Sequence, residues 1–383
     1  MLFEQTEQME QIRSMVKDFV ENEVEPLAQQ IEETDEIPQT LIEKAKEIGL
    51  FGISIPEKYG GIGLSSVEKA IVFSELGRSS HGFATLISAH TGIGSVGLVR
   101  LGSEALKRKY LPAMATGEKI GAFALSEPGA GSDATNLATT AVKQGDKWIL
   151  NGTKHFITNA PVADVFTVFA VTDKEKGAKG GITSFIVERD FPGLQIGAID
   201  TKMGLRGSKT AQVIFDNCEV PEENVVGEVG MGYMSALKIL SEGRVGLAAR
   251  AVGACEKLIE LSATYANERI QFKQPIANNQ AIQWMLADMA TETEAAKLLV
   301  LQAAKKIDEG KKAIRETSMA KLYATETFNR VAYHAIQIHG GMGYVSDFPI
   351  ERFYRDARIT TIYEGTSEVQ RLIIARDVLN SVK

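Results

Sequence analysis

A glutamate at an abrupt break in the sequence pattern is the side chain with the clearest chemical potential. Between residues 354 and 363 apolar residues alternate with small polar ones, and Glu364 and Gly365 then interrupt the pattern. Thr366 or Ser367 can cap the helix that follows. A carboxylate held at such a break can point into a pocket as a general base, beside helix N–H groups that suit an anionic or carbonyl-bearing ligand. An acid before a helix is also a common surface residue, so the remaining motifs decide its role.

Two further segments place polar groups at predicted strand ends. The loop at residues 125–133 contains two glycines and a proline, so its backbone can approach a ligand closely. The segment at residues 154–159 follows a predicted Asn151-Gly152 hairpin and carries an aromatic ring and a hydroxyl. We expect His155 within it to be a hydrogen-bonded surface residue, not a catalyst. A loop of this kind without a catalytic role is also common.

Two segments of the C-terminal half could bind an anion or cap a helix. Residues 337–344 end a predicted helix in a glycine-dense turn, which serves equally as a C-cap. Arg269, with Gln280 soon after, offers a cation able to meet a phosphate through two hydrogen bonds. Residues 92–97 match a dinucleotide-binding fingerprint by letter but lack its βαβ context, so they indicate helix packing or a helix break. The five histidines and two cysteines show no metal-ligand spacing, and no metal site is predicted.

The elements that must position these residues change in character twice along the chain. Helical periodicity fills residues 1–119, with a first helix limited by Pro26 and a second opened by Pro38 and closed by Gly49. Short β-rich runs without helical crossovers follow at residues 120–228, which predicts an antiparallel, barrel-like sheet. Residues 229–383 return to helix. Segments near 231–266, 279–308, 314–338 and 366–380 predict a four-helix bundle. The predicted fold class is therefore α+β and multidomain.

Composition narrows the class of protein. A charged content of 24% and an apolar content of 44% are those of a globular protein, and 383 residues suffice for two or three domains. The net charge of −7 argues against a nucleic-acid partner. We find no secretory signal and no membrane-length apolar run without charges. With only two cysteines, a reducing cytoplasmic location is expected.

Taken in order, these motifs resemble the acyl-CoA dehydrogenase family of flavoproteins over essentially the whole chain, and most closely its short-chain, butyryl-CoA-type members. The most specific likenesses are residues 126–133, 156–159, 339–344 and 363–366. The resemblance implies FAD as cofactor, an acyl-CoA substrate, an electron-transfer flavoprotein as electron acceptor, and a homotetramer.

The resemblance also assigns roles to individual positions. Those expected to bind FAD are Phe123, Leu125, Ser126, Gly131, Ser132, Phe156, Ile157, Thr158, Arg269, Gln271, Phe272, Gln280, Gln337, Gly340, Gly341, Thr366 and Glu368, partly across a subunit boundary. Those expected to contact the acyl-CoA are Ser132, Ser241, Glu242, Gly243, Arg244, Tyr363 and Gly365.

By the same resemblance Glu364 is the catalytic base, which would remove a proton from C2 of the thioester while a hydride leaves C3 for flavin N5. Burial should raise the pKa of Glu364 and strengthen it as a base. Some family members carry the base on the helix that begins the last domain. Here that position is Gly243, with Glu242 one residue away and about 100° around the helix. We therefore favour Glu364.

Two alternatives remain at the level of sequence. An acyl-CoA oxidase would use the same steps with oxygen as acceptor, although oxidases of this type usually have a longer C-terminal half. A non-catalytic CoA- or flavin-binding scaffold would keep the fold without the reaction. The preferred acyl chain is expected to be short and straight. The absence of arginine around residues 85–94 disfavours a dicarboxylic acyl group.

Overall fold

A computed structural model describes residues 6–382, and its first part is helical as expected. Thr6, Ser65, Ser80 and Ser103 cap four of these helices by accepting a backbone N–H through the side-chain oxygen. The helices are α1 Glu7–Phe19, α2 Glu25–Thr34, α3 Gln39–Glu47, α4 Ser66–Leu76, α5 His81–Ser88, α6 Val96–Leu101 and α7 Glu104–Ala115.

Proline 26 does not limit the first helical run, contrary to the sequence expectation. A π-helical turn at Val20–Val24 joins α1 to α2, and Pro26 lies in the first turn of α2, where a missing N–H costs little. The expectation for the second helix is met, because Pro38 precedes α3 and Gly49 follows it with φ 75°.

Residues 92–97 form no nucleotide-binding turn. They continue from a π-helical segment, Ala89–Gly94, into α6, and Gly94 allows this segment to lie against the backbone of Gly121. His90 accepts a hydrogen bond at Nδ1 from the Gly121 N–H (2.8 Å) and donates from Nε2 to the Met114 carbonyl (3.0 Å). Burial lowers the pKa of His90 to about 4, so the ring is neutral and joins the helical domain to the first strand.

One helical run, His81–Leu101, is long and apolar enough to cross a membrane by length and composition, whereas the sequence was expected to contain none. Within the protein 78% of its apolar window is buried. The run is therefore a core element of the fold described here.

The central domain is a sheet without helical crossovers, as predicted, but it is mixed and not purely antiparallel. The strands are β1 Gly121–Ala124, β2 Thr140–Gln144, β3 Lys147–Thr158, β4 Val165–Val171, β5 Ile182–Glu188, β6 Leu194–Ile199, β7 Thr210–Pro221 and β8 Val225–Val226, with a short helix α8 at Ala178–Gly181. They follow the order β6-β7-β3-β2-β4-β5-β8 in the sheet. β1 pairs with β4 in parallel, and so does one residue of β2.

The C-terminal part contains the four expected helices and one more. α12 precedes Glu364, where the alternating pattern gave no helical signal. The elements are α9 Gly232–Glu268, a small hairpin of β9 Ile270–Gln271 and β10 Gln274–Pro275, α10 Gln280–Asp308, α11 Ile314–His339, α12 Ile350–Thr360 and α13 Ser367–Asn380. One apolar core, containing for example Phe83, Val252 and Phe328, is shared between the two helical domains. Cys218 and Cys255 are buried free thiols.

A buried ion pair fixes the loop after β1. Lys154 Nζ contacts Glu127 Oε1 at 2.7 Å, and both side chains are almost completely inaccessible to solvent. Lys154 also donates to the Leu125 carbonyl, and Glu127 accepts from the N–H groups of Ala138 and Thr139. Five polar groups are thus satisfied together, so residues 125–139 are tied to β3.

Removing one partner of this pair should leave the other as an unpaired buried charge. We expect Glu127→Ala to lower the free energy of unfolding by about 3–5 kcal/mol in urea denaturation, and Lys154→Met combined with Glu127→Gln to recover most of that loss. A loss in Glu127→Ala no greater than the roughly 0–1 kcal/mol typical of exposed pairs would contradict this role.

Candidate active site

Glu364 lies in a sharp reversal of the chain between α12 and α13. Its φ of 53° is in the left-handed region, which is uncommon for a residue with a side chain, and Gly365 follows with φ 93°. Thr366 then caps α13 by accepting from the Val369 N–H (3.3 Å), as the sequence predicted. Ser367, the other candidate cap, donates instead to Glu326 on α11 (2.6 Å).

Side chains from three helices hold the two carbonyl groups of this reversal. Arg244 Nε on α9 donates to the Glu364 carbonyl (3.3 Å), and Lys321 Nζ on α11 donates to the Gly365 carbonyl (2.9 Å). Gln370 Nε2 on α13 reaches both carbonyls, at 3.3 and 2.8 Å. We call Arg244, Lys321 and Gln370 the carbonyl clamp. Because these donors bind the backbone, the Glu364 side chain is free to point elsewhere.

The Glu364 carboxylate points at α9, where Gly243 leaves room for it. A Cβ atom at position 243 would lie 2.9 Å from Glu364 Oε2 and equally close to Ile93 Cγ2. Oε2 is shielded from solvent and has no hydrogen-bond partner in the described part of the chain. Burial raises the pKa of Glu364, and the charges of Arg250, Lys321 and Arg244 oppose this rise. Glu364 is half-buried as a residue, but one oxygen of its carboxyl group is shielded and unpartnered, and its pKa is raised. These are the properties of a general base.

The surrounding cations are themselves buried and firmly placed. Arg250 donates to Thr85 Oγ1 (2.7 Å) and to the Tyr363 hydroxyl (3.3 Å), and is almost completely inaccessible. Burial lowers the pKa of Lys321 to about 8. Neither cation forms an ion pair with Glu364. They therefore tune the carboxylate through the electrostatic field without occupying its oxygen atoms.

Glu364 closes one part of a cleft that lies between α4, the π-helical segment, α9 and α10. Glu242 and Gly243, which were predicted to contact the substrate, also line the cleft. Glu242 is engaged by Arg100 at 3.1 Å, whereas Glu364 Oε2 has no partner. This difference favours Glu364 over Glu242 as the base.

Other residues predicted to contact the substrate have different surroundings. The Ser241 hydroxyl bonds to that of Thr317 on α11 (3.1 Å), and Arg244 belongs to the carbonyl clamp, so neither lines the cleft. Tyr363 is held by Arg250, and Gly365 provides the second carbonyl of the reversal. Ser132 is exposed in the loop after β1.

The residues predicted to surround a flavin ring converge where β1 and β3 end. The His155 N–H donates to the Ser126 carbonyl (2.9 Å), which brings the two segments together. A β-bulge in β3 turns Phe156 outward, with φ 58° and 64% of its surface exposed. The hydroxyls of Ser126 and Thr158 have no partner among the described side chains and backbone groups.

The neighbours of this surface are apolar or open. Phe123 packs on Phe169 with ring centroids 5.0 Å apart, and Leu125 and Ile157 are buried beneath it. Gly131 has no atom within 4 Å of the position that a Cβ would occupy. His155 stacks on Phe156 and bonds to Asp200 (3.2 Å), which agrees with its expected role as a hydrogen-bonded residue.

The remaining predicted cofactor residues lie at the far end of the bundle. Tyr265 near the end of α9 stacks on His339 at the end of α11, with centroids 4.5 Å apart, so these helix ends meet. Gly243 and the end of α9 are roughly 35–40 Å apart along the helix at about 1.5 Å per residue. The exposed residues at this far end are Arg269, Gln271, Phe272, Gln280, Gln337, Gly340 and Gly341. A single chain therefore does not bring them to Glu364, whereas Thr366 and exposed Glu368 lie directly after it.

Several residues that build the site were missed at the level of sequence. Lys321 and Gln370 of the carbonyl clamp, Arg250 and Lys69 lie on helices whose pattern shows only ordinary helical periodicity. The one available signal was polarity at positions that face the core, since Arg250, Lys321 and Gln370 are almost completely buried.

Comparison with known families gives three consecutive matches. The models of the acyl-CoA dehydrogenase N-terminal, middle and C-terminal domains match residues 6–118, 122–218 and 230–379. An acyl-CoA dehydrogenase of Bacillus subtilis is 46% identical over 98% of this chain and 98% of its own. Subunit CarC of the caffeyl-CoA reductase–Etf complex of Acetobacterium woodii is 44% identical, over 97% of this chain and 98% of its own.

Solved structures show the same fold. Butyryl-CoA dehydrogenase of Megasphaera elsdenii superimposes with a TM-score of 0.96 at 38% identity, covering 98% of this chain and 99% of that chain. An acyl-CoA dehydrogenase of Bacillus anthracis complexed with FAD gives a TM-score of 0.92 at 39% identity, covering 99% and 68% respectively.

Proposed function

The chain belongs to the acyl-CoA dehydrogenase family, and we propose that it is an FAD-dependent oxidoreductase that converts a short acyl-CoA to its trans-2-enoyl-CoA. The observation that carries this proposal is the Glu364 carboxylate, which faces a cleft, has a raised pKa and keeps one oxygen shielded from solvent and without a partner. This set of properties suits the removal of a proton from carbon, which an ordinary surface carboxylate cannot accomplish.

The surface at the ends of β1 and β3 fits an isoalloxazine ring. Phe156 offers an exposed aromatic face, and Ser126 and Thr158 offer hydroxyls without protein partners, as the edge of a flavin requires. When bound there, FAD would supply the acceptor for the hydride that leaves C3 of the substrate.

Glu364 would take the proton from C2 of the thioester. Its raised pKa makes the carboxylate a stronger base, while Arg250, Lys321 and Arg244 keep the ionised form accessible. The backbone N–H of Glu364 has no partner among the described residues, so it can donate to the thioester oxygen and stabilise the developing enolate. Tyr363, fixed by Arg250, would limit access of water to this point.

A second copy of the chain would complete the cofactor site. Arg269 forms no ion pair with any residue described, and Gly340 presents open backbone with φ 60°. Both suit a pyrophosphate or adenosine group but lie far from Glu364 in the same chain. This separation supports the proposal of a homo-oligomer, and by family likeness a homotetramer, in which a neighbour supplies the second half.

The electron acceptor and the direction of reaction are further parts of the proposal. We favour an electron-transfer flavoprotein as acceptor, since the relative from A. woodii is named as part of an Etf complex. That relative is a caffeyl-CoA reductase, so reduction of a 2-enoyl-CoA is a second candidate function. Oxygen as acceptor would make the protein an acyl-CoA oxidase, and stopped-flow reoxidation in air would separate this possibility from transfer to the flavoprotein.

Glu364→Gln should separate binding from chemistry. We expect anaerobic butyryl-CoA to bleach the visible absorbance of the FAD-loaded protein, and the variant to bind the thioester but bleach about 10²–10⁴-fold more slowly. Full bleaching in Glu364→Gln together with loss in Glu242→Gln would reverse the assignment of the base. A protein that is colourless and cannot retain added FAD would end the proposal.

Gly243→Ala should displace the carboxylate while leaving the fold intact. The added methyl would meet Glu364 Oε2 and Ile93 Cγ2. Because Oε2 lies at the flexible end of its side chain, whereas Ile93 Cγ2 is attached to the β-carbon, the base should move. We expect kcat to fall about 10- to 100-fold with little change in melting temperature. Gly180→Ala adds the same methyl near only the Lys176 side chain, at 3.3 Å, and serves as the control. Unchanged kcat in Gly243→Ala would contradict the close contact.

The acid limb of the pH profile should report Glu364. Because burial raises its pKa, the base becomes protonated, and kcat/KM declines, at a higher pH than for an ordinary glutamate. Lys321 opposes this rise, so Lys321→Met should move the limb to still higher pH. If Lys321→Met leaves the acid limb at the same pH and lowers only the maximum of kcat/KM, Lys321 positions Glu364 without changing its pKa.

A further inference from the structure

Polar side chains line part of the cleft that contains Glu364, among apolar residues such as Phe73 and Val245. The hydroxyls of Ser54, Ser66, Ser88 and Thr91 line it together with Lys69. Ser88 and Thr91 donate to carbonyls within their own helix, whereas Ser54 and Ser66 have no side-chain partner among residues 6–382. An apolar acyl group would remove water from the hydroxyls of Ser54 and Ser66 without replacing their hydrogen bonds to water.

Lys69 is the only cation among the residues that line this cleft in the described chain. It lies on α4, one turn after Ser66, and the spacing of Ser66, Lys69 and Phe73 places all three on the face toward the cleft. No hydrogen bond or ion pair joins its ammonium group to another described residue. The Lys69 side chain is half-buried, and burial lowers its pKa.

The acidic groups near Lys69 are already engaged elsewhere. Glu242 bonds to Arg100 at 3.1 Å. Asp308 accepts from the N–H groups of Ser66 and Val67 at 2.7 and 3.0 Å, at the start of α4. Both carboxylates raise the pKa of Lys69 through space, and Arg100 lowers it. The ammonium therefore keeps its donors for a guest in the cleft.

We propose that Lys69 binds an acceptor oxygen at the far end of the acyl group, so that the preferred substrates are short acyl-CoA thioesters ending in a carboxylate or carboxamide. This inference rests on the proposed function, because the same cleft presents Glu364 to the thioester. Ser66 on the same face would donate a second hydrogen bond to that terminal group. Residues 85–94 contain no arginine, but the cation that faces a dicarboxylic acyl group would come from α4.

The test compares thioesters that differ only in their terminal group. Glutaryl-CoA carries a carboxylate, its monoamide a neutral acceptor, and 5-methylhexanoyl-CoA an isopropyl group of the same shape; succinyl and adipyl sets extend the comparison in length. Dissociation constants are measured by titration of Glu364→Gln, so that no turnover is required. We expect at least one polar ester to bind about tenfold or more tightly than its isopropyl counterpart. The carboxylate-to-carboxamide ratio shows whether charge or hydrogen bonding supplies the preference.

Lys69→Met should reduce the ratio of affinities between the polar ester and its isopropyl counterpart to near one. Lys69→Arg should retain much of that preference. Lys311→Met, which removes a lysine bound to Glu309 at the surface, should leave the ratio unchanged. The inference would be overturned if the protein that keeps Lys69 bound the isopropyl ester more tightly than the polar ester. A preference for the polar ester that survives in Lys69→Met would overturn it as well. Bleaching by butyryl-CoA with no polar preference would sink this inference alone, whereas failure of every thioester to bleach the FAD-loaded protein would sink the proposed function.

Discussion

The hydrogen bonds that hold the carbonyls of Glu364 and Gly365 are the constraint on which the site depends. A glutamate with a left-handed backbone conformation is strained, and such a conformation persists only where the surrounding structure holds it. Arg244, Lys321 and Gln370, on three different helices, hold it through hydrogen bonds to the backbone. Because all three donors are spent on the backbone, the carboxylate stays without a direct partner. The same clamp thus fixes the position of the proposed base and leaves its carboxylate oxygen atoms free.

Burial of these cations has a cost that the shared core must offset. Lys321 and Arg250 are almost completely inaccessible, and desolvation of such groups disfavours folding unless hydrogen bonds replace water. Lys321 finds the Gly365 carbonyl, and Arg250 finds Thr85 and Tyr363, although Arg250 Nε is left without a partner. The apolar core that joins the N-terminal helices to the bundle provides the compensating stability. Reactivity at Glu364 is therefore linked to the packing of two domains.

Sequence reasoning identified the parts of this molecule that are local and missed those that depend on distant helices. The order of domains, the cap at Thr366 and the strand-end loops follow from periodicity and turn chemistry, which act over a few residues. By contrast, nothing adjacent to Lys69 or Lys321 marks them as residues of the cleft or the clamp, because their partners lie on other elements. Pro26 was expected to end a helix, but a π-helical turn precedes it and places it in the first turn of α2. α12 was missed because apolar and polar residues alternate along it. Tertiary packing decided each of these cases.

The geometry around Glu364 serves proton transfer in either direction. A base whose pKa is raised by burial accepts a proton from carbon more readily, and once protonated it is an acid able to return that proton to C2 of an enoyl thioester. In the proposed reaction the N–H of Glu364 would stabilise the same enolate on both paths. Nothing in the clamp or in Gly243 therefore distinguishes oxidation from reduction. Direction must be set by the relative affinity of the cleft for saturated and unsaturated thioesters and by the redox potential of the electron partner. A polar contact at Lys69, remote from C2 and C3, would bind both forms alike and so select the acyl group without biasing the direction.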